Sequence, residues 1–174
     1  MIINRPAISE YPEFYATYIQ KVNGDDLIRS LQEGEKELIQ LLGSIAPSKF
    51  SFRYAPGKWS IQEIISHIID AERVFSYRAL RFSRNDATAL PGFDENSWVP
   101  ESNASNRIMQ DIISEYSYVR LATISLFKSF TSEMTLRSGL ANGKRISVRA
   151  LGYAIAGHEL HHAMVIRERY LAET

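Results

Sequence analysis

Four long segments of this chain repeat apolar residues at the spacing of one helix face, and they constrain its fold more than any other feature. They cover about residues 25–42, 60–84, 103–130 and 147–171. Turn-rich connections separate them, and an amphipathic helix is stable only when its apolar face packs against another element. The sequence therefore predicts an all-α protein, a four-helix bundle that forms a single domain over residues 1–174.

The second and last of these segments have clear N-terminal signals. Ser60-Ile-Gln-Glu63 is a capping box, in which the two polar side chains satisfy backbone N–H groups that have no partner inside the helix. Ser147 is expected to cap the last helix. Residues 85–101 are rich in turn-forming residues and predict a long loop, of the kind that often forms a lid or a binding element.

Two shorter features accompany the bundle. Asn142-Gly143 lies between residues 136–141 and 144–147, and this dipeptide favours the type I′ turn of a β-hairpin. The sequence thus predicts a small hairpin-like connection before the last helix. A short N-terminal helical arm is predicted by aromatic and apolar residues that share one helical face: Tyr11, Phe14, Tyr15, Tyr18 and Ile19.

Composition narrows the function classes. The chain has 20 basic and 20 acidic residues and no basic stripe, so its electrostatics do not favour a nucleic-acid partner. No run of about 18 apolar residues predicts a membrane span, and no apolar signal segment is evident, so a soluble cytoplasmic protein with no membrane association is expected. The chain contains no cysteine, which leaves histidine and carboxylate as its metal ligands and excludes disulfides and thiolate nucleophiles.

All four histidines lie in two short windows on the helical segments. Each residue advances about 100° around a helix axis, so His158 and His162 fall one turn apart within the apolar stripe of the last helix. His161 lies at the edge of that stripe and is predicted to be a rim residue. His67 shares a face with apolar residues of the second helix and is likewise predicted to point into the core.

Three inward imidazoles on two packed helices favour a metal site. Imidazole is the commonest metal-binding side chain, and a set of three protein ligands leaves one position open, as in catalytic rather than structural zinc sites. The alternative is that each histidine is an ordinary core or rim residue satisfied by a hydrogen bond. A pair at i, i+4 together with a third inward histidine favours the metal.

His158-Glu-Leu-His-His162 also satisfies the H-E-x-x-H signature of zinc proteases, in which the glutamate is the general base. The 12 residues that follow contain no further histidine, so the usual downstream third ligand is missing and a protease is disfavoured. Glu159 could still act in chemistry at the metal, although we favour a solvated surface carboxylate.

Combined motifs along most of the chain resemble the DinB/YfiT-like metalloenzyme family of bacterial four-helix proteins. These motifs are Phe52–Ser60, Ile65–Asp70, Arg84–Asp86, Leu90–Phe93, Ser147–Leu151 and Gly157–His162. The resemblance implies an up-down-down-up bundle in which one histidine of the second helix and two of the last hold a divalent metal. The match places these metal ligands at His67, His158 and His162.

The resemblance also implies a function. Members of the family include S-transferases of low-molecular-weight thiols and a thiol-dependent isomerase, and dimers are common among them. We therefore expect a cytoplasmic bacterial enzyme, a homodimer that uses a divalent ion as a thiol S-transferase or hydrolase on a small-molecule substrate. Zinc is the first expectation for the ion, with nickel or manganese as alternatives. The competing hypothesis is a non-catalytic, metal-stabilised interaction or stress-response module.

Other residues support weaker expectations. Arg78 lies on a bearing similar to that of His67 and could meet an anionic substrate, although we favour a salt bridge to another helix. Asp70 or Glu63 could orient a ligand imidazole through a hydrogen bond. Three aromatic residues could line a pocket mouth or, as we favour, pack beneath the long loop: Trp59, Phe93 and Trp98.

Overall fold

The computed structural model describes residues 2–172 of the chain. Its helices are α1 (Glu13–Ile19), α2 (Leu27–Gly43), α3 (Ile61–Ser83), α4 (Glu95–Glu101), α5 (Met109–Lys128), α6 (Ser132–Leu136) and α7 (Val148–Val165), and its strands are β1 (Ser138–Ala141) and β2 (Lys144–Ser147). The long helices α2, α3, α5 and α7 form a bundle, which confirms the predicted all-α four-helix architecture. Among the described residues, no helix combines the length and the apolar character that crossing a bilayer requires.

Contacts between the long helices give the direction of each. Gln62, at the start of α3, donates to the carbonyl of Arg107, immediately before α5, and the two helices pack side by side, so they run parallel. Tyr170, just beyond the end of α7, donates to the carbonyl of Trp59, just before α3, so α7 runs antiparallel to α3. Helix α2 packs against α5 and α7 and runs parallel to α7. The order is up-down-down-up, as the resemblance implied.

Polar caps determine where the bundle helices begin. The Ser60 hydroxyl accepts a hydrogen bond from the Glu63 N–H at 3.3 Å, and the Glu63 carboxylate accepts one from the Ser60 N–H at 2.7 Å, which confirms the predicted capping box. The Ser147 hydroxyl accepts from the Ala150 N–H at 3.1 Å. Each cap fixes the residue at which its helix begins, and the spacing of the histidines from the apolar residues of α3 and α7 places them on the faces that pack in the core.

The connection between α3 and α5 differs from the sequence prediction in two places. Residues 85–101 are not irregular throughout, because the Asp94 side chain accepts from the Asn96 N–H and starts the short helix α4. The third long helix starts at Met109 rather than near residue 103, because Asn103 is left-handed, with φ 58°, and Arg107 and Ile108 are extended, with ψ of 149° and 130°. Helix α4 packs against α3 and brings its first turn toward the histidine of that helix.

The β-hairpin before α7 forms as predicted. Ala141 pairs with Lys144, and the turn residues Asn142 and Gly143 have φ of 50° and 72°, the positive values that a type I′ turn requires. The hairpin also anchors the long connection, since the Leu90 N–H donates to a hairpin carbonyl and the Leu90 carbonyl accepts from the Asn142 N–H. The segment that follows Leu90 is thereby held beside α3.

Helix α7 is buried along most of its length, with residues 150–159 all inaccessible to solvent or nearly so. The predicted N-terminal arm forms α1, which packs against α7. Gly157 permits this close approach, because a Cβ at that position would lie 2.0 Å from the carbonyl oxygen of Tyr18. Beyond Val165 the chain makes one wider helical turn, Ile166–Tyr170. The arm consequently covers the segment of α7 that carries its histidines.

Candidate metal centre

The three inward histidines meet at one point between α3 and α7. The Nε2 atom of His158 lies 3.0 Å from Nε2 of His67 and 3.1 Å from Nε2 of His162. One ring nitrogen from each of the three lies within 4.8 Å of the other two. His161 stays outside this cluster, at the rim where the sequence placed it, with its ring centre 5.5 Å from that of Tyr18. The structure therefore brings together the three histidines that helical geometry selected.

The cluster suits a cation better than a hydrogen-bonded core. A neutral imidazole has one N–H and one lone pair, so Nε2 of His158 can either donate or accept, yet it has two nitrogen neighbours at hydrogen-bond distance. A single divalent ion can accept a lone pair from each of the three rings. Metal–nitrogen bonds of about 2.0–2.1 Å place tetrahedral ligands about 3.3 Å apart, close to the distances of 3.0 and 3.1 Å from Nε2 of His158 to the other two Nε2 atoms. The donor set fits zinc or a similar divalent cation.

Burial keeps these imidazoles in the neutral form that binds metals. Desolvation lowers the pKa of His67 to about 4 and the pKa of His162 to about 3. Desolvation, together with the neighbouring imidazoles, also lowers the pKa of the His158 ring well below its usual value. A histidine must be deprotonated before it can bind a metal. At neutral pH, all three rings consequently offer lone pairs.

Two cavities reach the cluster. The first has a volume of about 150 Å³, and its lining includes two of the histidines with polar and aromatic side chains: His67, His158, Tyr15, Tyr18, Arg78 and Glu95. The second has a volume of about 270 Å³ and is bordered by His162 instead. A ligand could therefore approach the cluster from outside, as in catalytic metal sites, which keep a coordination position open.

The three aromatic residues suggested by the sequence have different positions around these cavities. Trp59 lines the second cavity, and its ring centre lies 4.9 Å from that of His67. Phe93 lines the first cavity and packs against Trp98 with ring centres 4.8 Å apart. Lining a cavity and packing within the long connection are thus both observed, and Phe93 does both.

Glu95 brings a carboxylate into the first cavity, and it was not identified from the sequence. Burial raises the pKa of the Tyr18 hydroxyl, and the charge of Glu95 raises it further. The same charge acts on His67, where it opposes the lowering of the pKa by burial. The signal that could have found this residue is Asp94 followed by an acidic first turn, which is typical of a helix start.

Glu159 turns away from the cluster, although it follows His158 directly in the sequence. The residue is 1% exposed, and its carboxylate pairs with Arg120 of α5, which also binds Glu72 through hydrogen bonds of 2.9 and 2.8 Å. The Tyr116 hydroxyl donates to the Glu159 carboxylate. Consecutive helix residues differ by about 100° in direction, so the carboxylate beside an inward histidine points to another part of the core. Both expectations for Glu159, a role at the metal and a solvated surface position, are wrong.

The carboxylates suggested as orienting groups for an imidazole have other partners. Glu63 pairs with Arg53 and accepts from the backbone of Ser60, and it lies at the start of α3, one helical turn before His67. Asp70 is half-buried on α3, and a nitrogen of Arg73 lies 3.8 Å from its carboxylate. The prediction that one of them orients a histidine ring is not supported by these contacts.

Arg78 lies in the first cavity without the salt bridge that we favoured from the sequence. Its side chain is 3% exposed, and its guanidinium donates a hydrogen bond of 2.7 Å to the Pro91 carbonyl. The guanidinium carbon lies 5.7 Å from the ring centre of Phe75 and 5.9 Å from that of Phe93. Within residues 2–172, no carboxylate forms an ion pair with it. The predicted salt bridge is therefore wrong.

The fold and the cluster together define a helical-bundle protein with the side chains of a metal site. Residues 30–166 match the model of the DinB superfamily, and the chain belongs to that superfamily. A protein of Oceanobacillus iheyensis, named as an inferred metal-dependent hydrolase, is 25% identical over 154 residues, which are 85% of this chain and 87% of that protein. These matches confirm the family suggested by the sequence motifs.

Two solved structures share the fold. YfiT from Bacillus subtilis, described as a probable metal-dependent hydrolase with an unusual four-helix bundle topology, has a TM-score of 0.69 at 17% identity, over 93% of this chain and 91% of YfiT. The mycothiol-dependent maleylpyruvate isomerase has a TM-score of 0.66 at 10% identity, over 79% of this chain and 58% of the isomerase. The names of the relatives and the three-histidine cluster together support a divalent metal.

Proposed function

We propose that the protein is a metal-dependent enzyme acting on a small molecule, with His67, His158 and His162 as the ligands of one divalent ion. The observation that carries this proposal is the convergence of three neutral imidazoles beside a cavity that a ligand can enter. When bound, the ion would supply Lewis acidity, which polarises a carbonyl or lowers the pKa of water or of a thiol. Zinc is the first candidate, with nickel and manganese as alternatives, because occupancy in a cell does not follow affinity alone.

Other side chains of the first cavity would bind and orient the substrate. The ring centres of Tyr18 and Phe75 lie 5.2 Å and 6.3 Å from that of His158. They would restrict the position of a substrate beside this histidine. These rings also limit the access of bulk water, and electrostatic interactions are stronger where water is excluded. Glu95 lines the same cavity and is the carboxylate placed to take up or return a proton there.

Hydrolysis is the first reaction class, because the two relatives that cover most of this chain are named as an inferred and a probable metal-dependent hydrolase. Transfer of a low-molecular-weight thiol is the second. The likeness to a mycothiol-dependent isomerase favours it, and since the chain contains no cysteine, the thiol would have to come from a cosubstrate. Both reactions use the same open position beside the histidines.

The metal content of protein purified without a metal-affinity tag tests the assignment of the ligands. We expect one divalent ion per chain in the native protein, and its loss in His67→Ala, His158→Ala and His162→Ala. His161→Ala is the matched control, because this residue lies on α7 but outside the cluster. Native protein that binds no divalent ion, or an equal loss in the control, would overturn the assignment.

Assays on metal-loaded and metal-stripped protein separate an enzyme from a metal-stabilised module. A panel of ester, amide and thiol-transfer substrates should show turnover that is lost on stripping and restored by the metal. A higher melting temperature on metal loading, with no turnover and no exchangeable coordination position, would favour the non-catalytic module instead. Chelator-sensitive cleavage of unfolded casein in the same panel would favour a protease.

The homodimer, the cytoplasmic location and the absence of nucleic-acid or membrane partners stay predictions. Sedimentation equilibrium at micromolar concentrations tests the first of them. A monomer across that range would contradict the assembly that the resemblance implied.

A further inference from the structure

Arg78 is a buried cation in the first cavity that has no counter-ion among the described residues. Its side chain is 3% exposed, and burial lowers the pKa of its guanidinium. A guanidinium nevertheless stays protonated in proteins, so the charge remains. Buried charges are normally paired, because taking an unpaired charge out of water has a large free-energy cost. An unpaired buried guanidinium beside a cavity is therefore unusual, and an anionic ligand in the cavity would supply the missing counter-charge.

The guanidinium retains hydrogen-bond donors for a ligand. It carries five N–H groups, of which one donates to the Pro91 carbonyl at 2.7 Å, and the hydroxyl of Tyr15 also interacts with it. Phe75 and Phe93 flank it with their rings, and ring contacts occupy no lone-pair acceptor. The planar arrangement of the remaining donors matches the two oxygens of a carboxylate.

Arg78 and two of the histidines, His67 and His158, line the same cavity. Tyr15, which interacts with the guanidinium, also lines this cavity. The ring centre of Phe75 lies 5.7 Å from the guanidinium carbon of Arg78 and 6.3 Å from the ring centre of His158, so Phe75 contacts both groups. Arg78 also borders a neighbouring groove of about 440 Å³, but no histidine does. The first cavity, with about 150 Å³, has the volume of one that holds a benzene-sized ring.

We propose that Arg78 forms an anion subsite, and that the substrate is a small carboxylate whose reacting group lies beside the histidines. The anion subsite is a property of the metal-free chain, whereas its role in holding a substrate rests on the proposed function. Glu95 is the other charged side chain among the described residues that line this cavity. Its charge raises the pKa of both His67 and Tyr18, and it forms no ion pair with Arg78.

Calorimetric titration of the metal-stripped protein with benzoate and with benzamide tests this inference, because the two probes share a ring but differ in charge. We expect native protein to bind benzoate at least about tenfold more tightly. Arg78→Met should remove this preference without weakening the binding of benzamide. Arg73→Met is the matched control on the same helix, since Arg73 pairs with Glu115 outside the cavity, and it should keep the native preference.

Arg78→Lys keeps the charge but not the planar fork, and it should reduce the preference for benzoate by at least about threefold. This variant decides the test if Arg78→Met does not fold by circular dichroism. Equal binding of the two probes by native protein would overturn the subsite. A native-like preference in folded Arg78→Met, or in Arg78→Lys, would also overturn it.

The failure of the subsite and the failure of the proposed function give different results. A preference for benzoate that appears only after metal loading and survives Arg78→Met would show that the ion holds the anion, so the subsite is wrong and the metal site stands. A preference in stripped protein that depends on Arg78, in a chain that binds no divalent ion, would confirm the subsite and contradict the proposed function.

Discussion

Two arginines of the described chain are buried in the bundle, and their surroundings differ in charge. Arg120 is 0% exposed, lies between the carboxylates of Glu72 and Glu159, and donates to the Leu31 carbonyl at 3.0 Å. Arg78 is 3% exposed and has a backbone carbonyl, a tyrosine hydroxyl and two aromatic rings as neighbours, but no carboxylate. The first region is a closed ion network, and the second presents a charge to a cavity.

This difference separates a group that supports the fold from one that is available to a ligand. The closed network joins α3, α5 and α7 through its charges and reaches α2 through the Leu31 carbonyl. Buried polar groups in native proteins are nearly always satisfied, and departures from that rule concentrate at functional sites. The histidine cluster borders the cavity that contains Arg78, while Glu159 points from α7 into the closed network.

The largest change in stability is expected when the closed network loses its cation. Arg120→Met leaves Glu72 and Glu159 buried without a counter-charge, and breaking a buried ion pair in this way costs about 3–5 kcal/mol. Urea unfolding of the metal-free protein measures this loss. Arg73→Met removes an exposed arginine of α3 and should change the unfolding free energy by less than about 1 kcal/mol. A similarly small loss in Arg120→Met would contradict the structural role of the network.

A smaller loss is expected where α2 packs against the same network. A Cβ at Gly34 would lie 2.3 Å from a carboxylate oxygen of Glu159, which Arg120 and Tyr116 hold in place. Gly34→Ala should therefore lower the unfolding free energy by about 1–3 kcal/mol, despite the better helix propensity of alanine. Gly43→Ala is the control on the same helix, since no atom lies within 4 Å of its added Cβ, and it should be neutral or stabilising. Equal changes in the unfolding free energy of Gly34→Ala and Gly43→Ala would show that the Glu159 carboxylate can move away from the added methyl group.

Acid should reduce the stability that Glu63, a buried carboxylate at the start of α3, contributes to the fold. Burial alone would raise the pKa of Glu63, but the Arg53 guanidinium and the Ser60 N–H lower it overall. A carboxylate with a lowered pKa stabilises the fold above its unfolded value of about 4.3, and this stabilisation is lost as the pH falls through the folded value. Glu63→Gln should cost about 1 kcal/mol at pH 7 and less at pH 4 in urea unfolding of metal-free protein. The same cost at both pH values would be inconsistent with this carboxylate as its source.

The smallest change in stability is expected when Arg78, the arginine without a carboxylate partner, is replaced by methionine. Arg78→Met removes a buried charge that no carboxylate balances, and the flexible methionine can pack between the flanking rings. The unfolding free energy should stay within about 1 kcal/mol of the native value or rise. Urea unfolding beside Arg120→Met checks this. A loss as large as that of Arg120→Met would remove the distinction between the two regions.

The convergence of the histidines could be predicted because it depends on local signals. Ser60 and Ser147 cap their helices as the sequence indicates, and within each helix the spacing of the residues places the histidines on the apolar stripe that packs in the core. The hairpin at Asn142-Gly143 was predictable for the same reason, since its turn type follows from two adjacent residues.

The closed network could not be predicted, because it depends on which faces of separate helices meet. Glu72, Arg120 and Glu159 are charged residues that apolar periodicity assigns to no core face, and their pairing appears only when α3, α5 and α7 pack together. Glu95 was missed because α4 lies within a segment whose prolines and glycine indicated a loop. The late start of α5 depends on the backbone conformations of Asn103, Arg107 and Ile108, which the apolar periodicity had included in the helix.

Anomalous diffraction from crystals of zinc-loaded protein tests the central claim most directly, because it locates the ion and its bonded atoms together. We predict one zinc ion bonded to a ring nitrogen of each of His67, His158 and His162 at about 2.0–2.1 Å. The position without a protein ligand should face the cavity that contains Arg78 and Glu95. An ion bound elsewhere, or bonded to fewer than three of these histidines, would contradict the proposed metal centre.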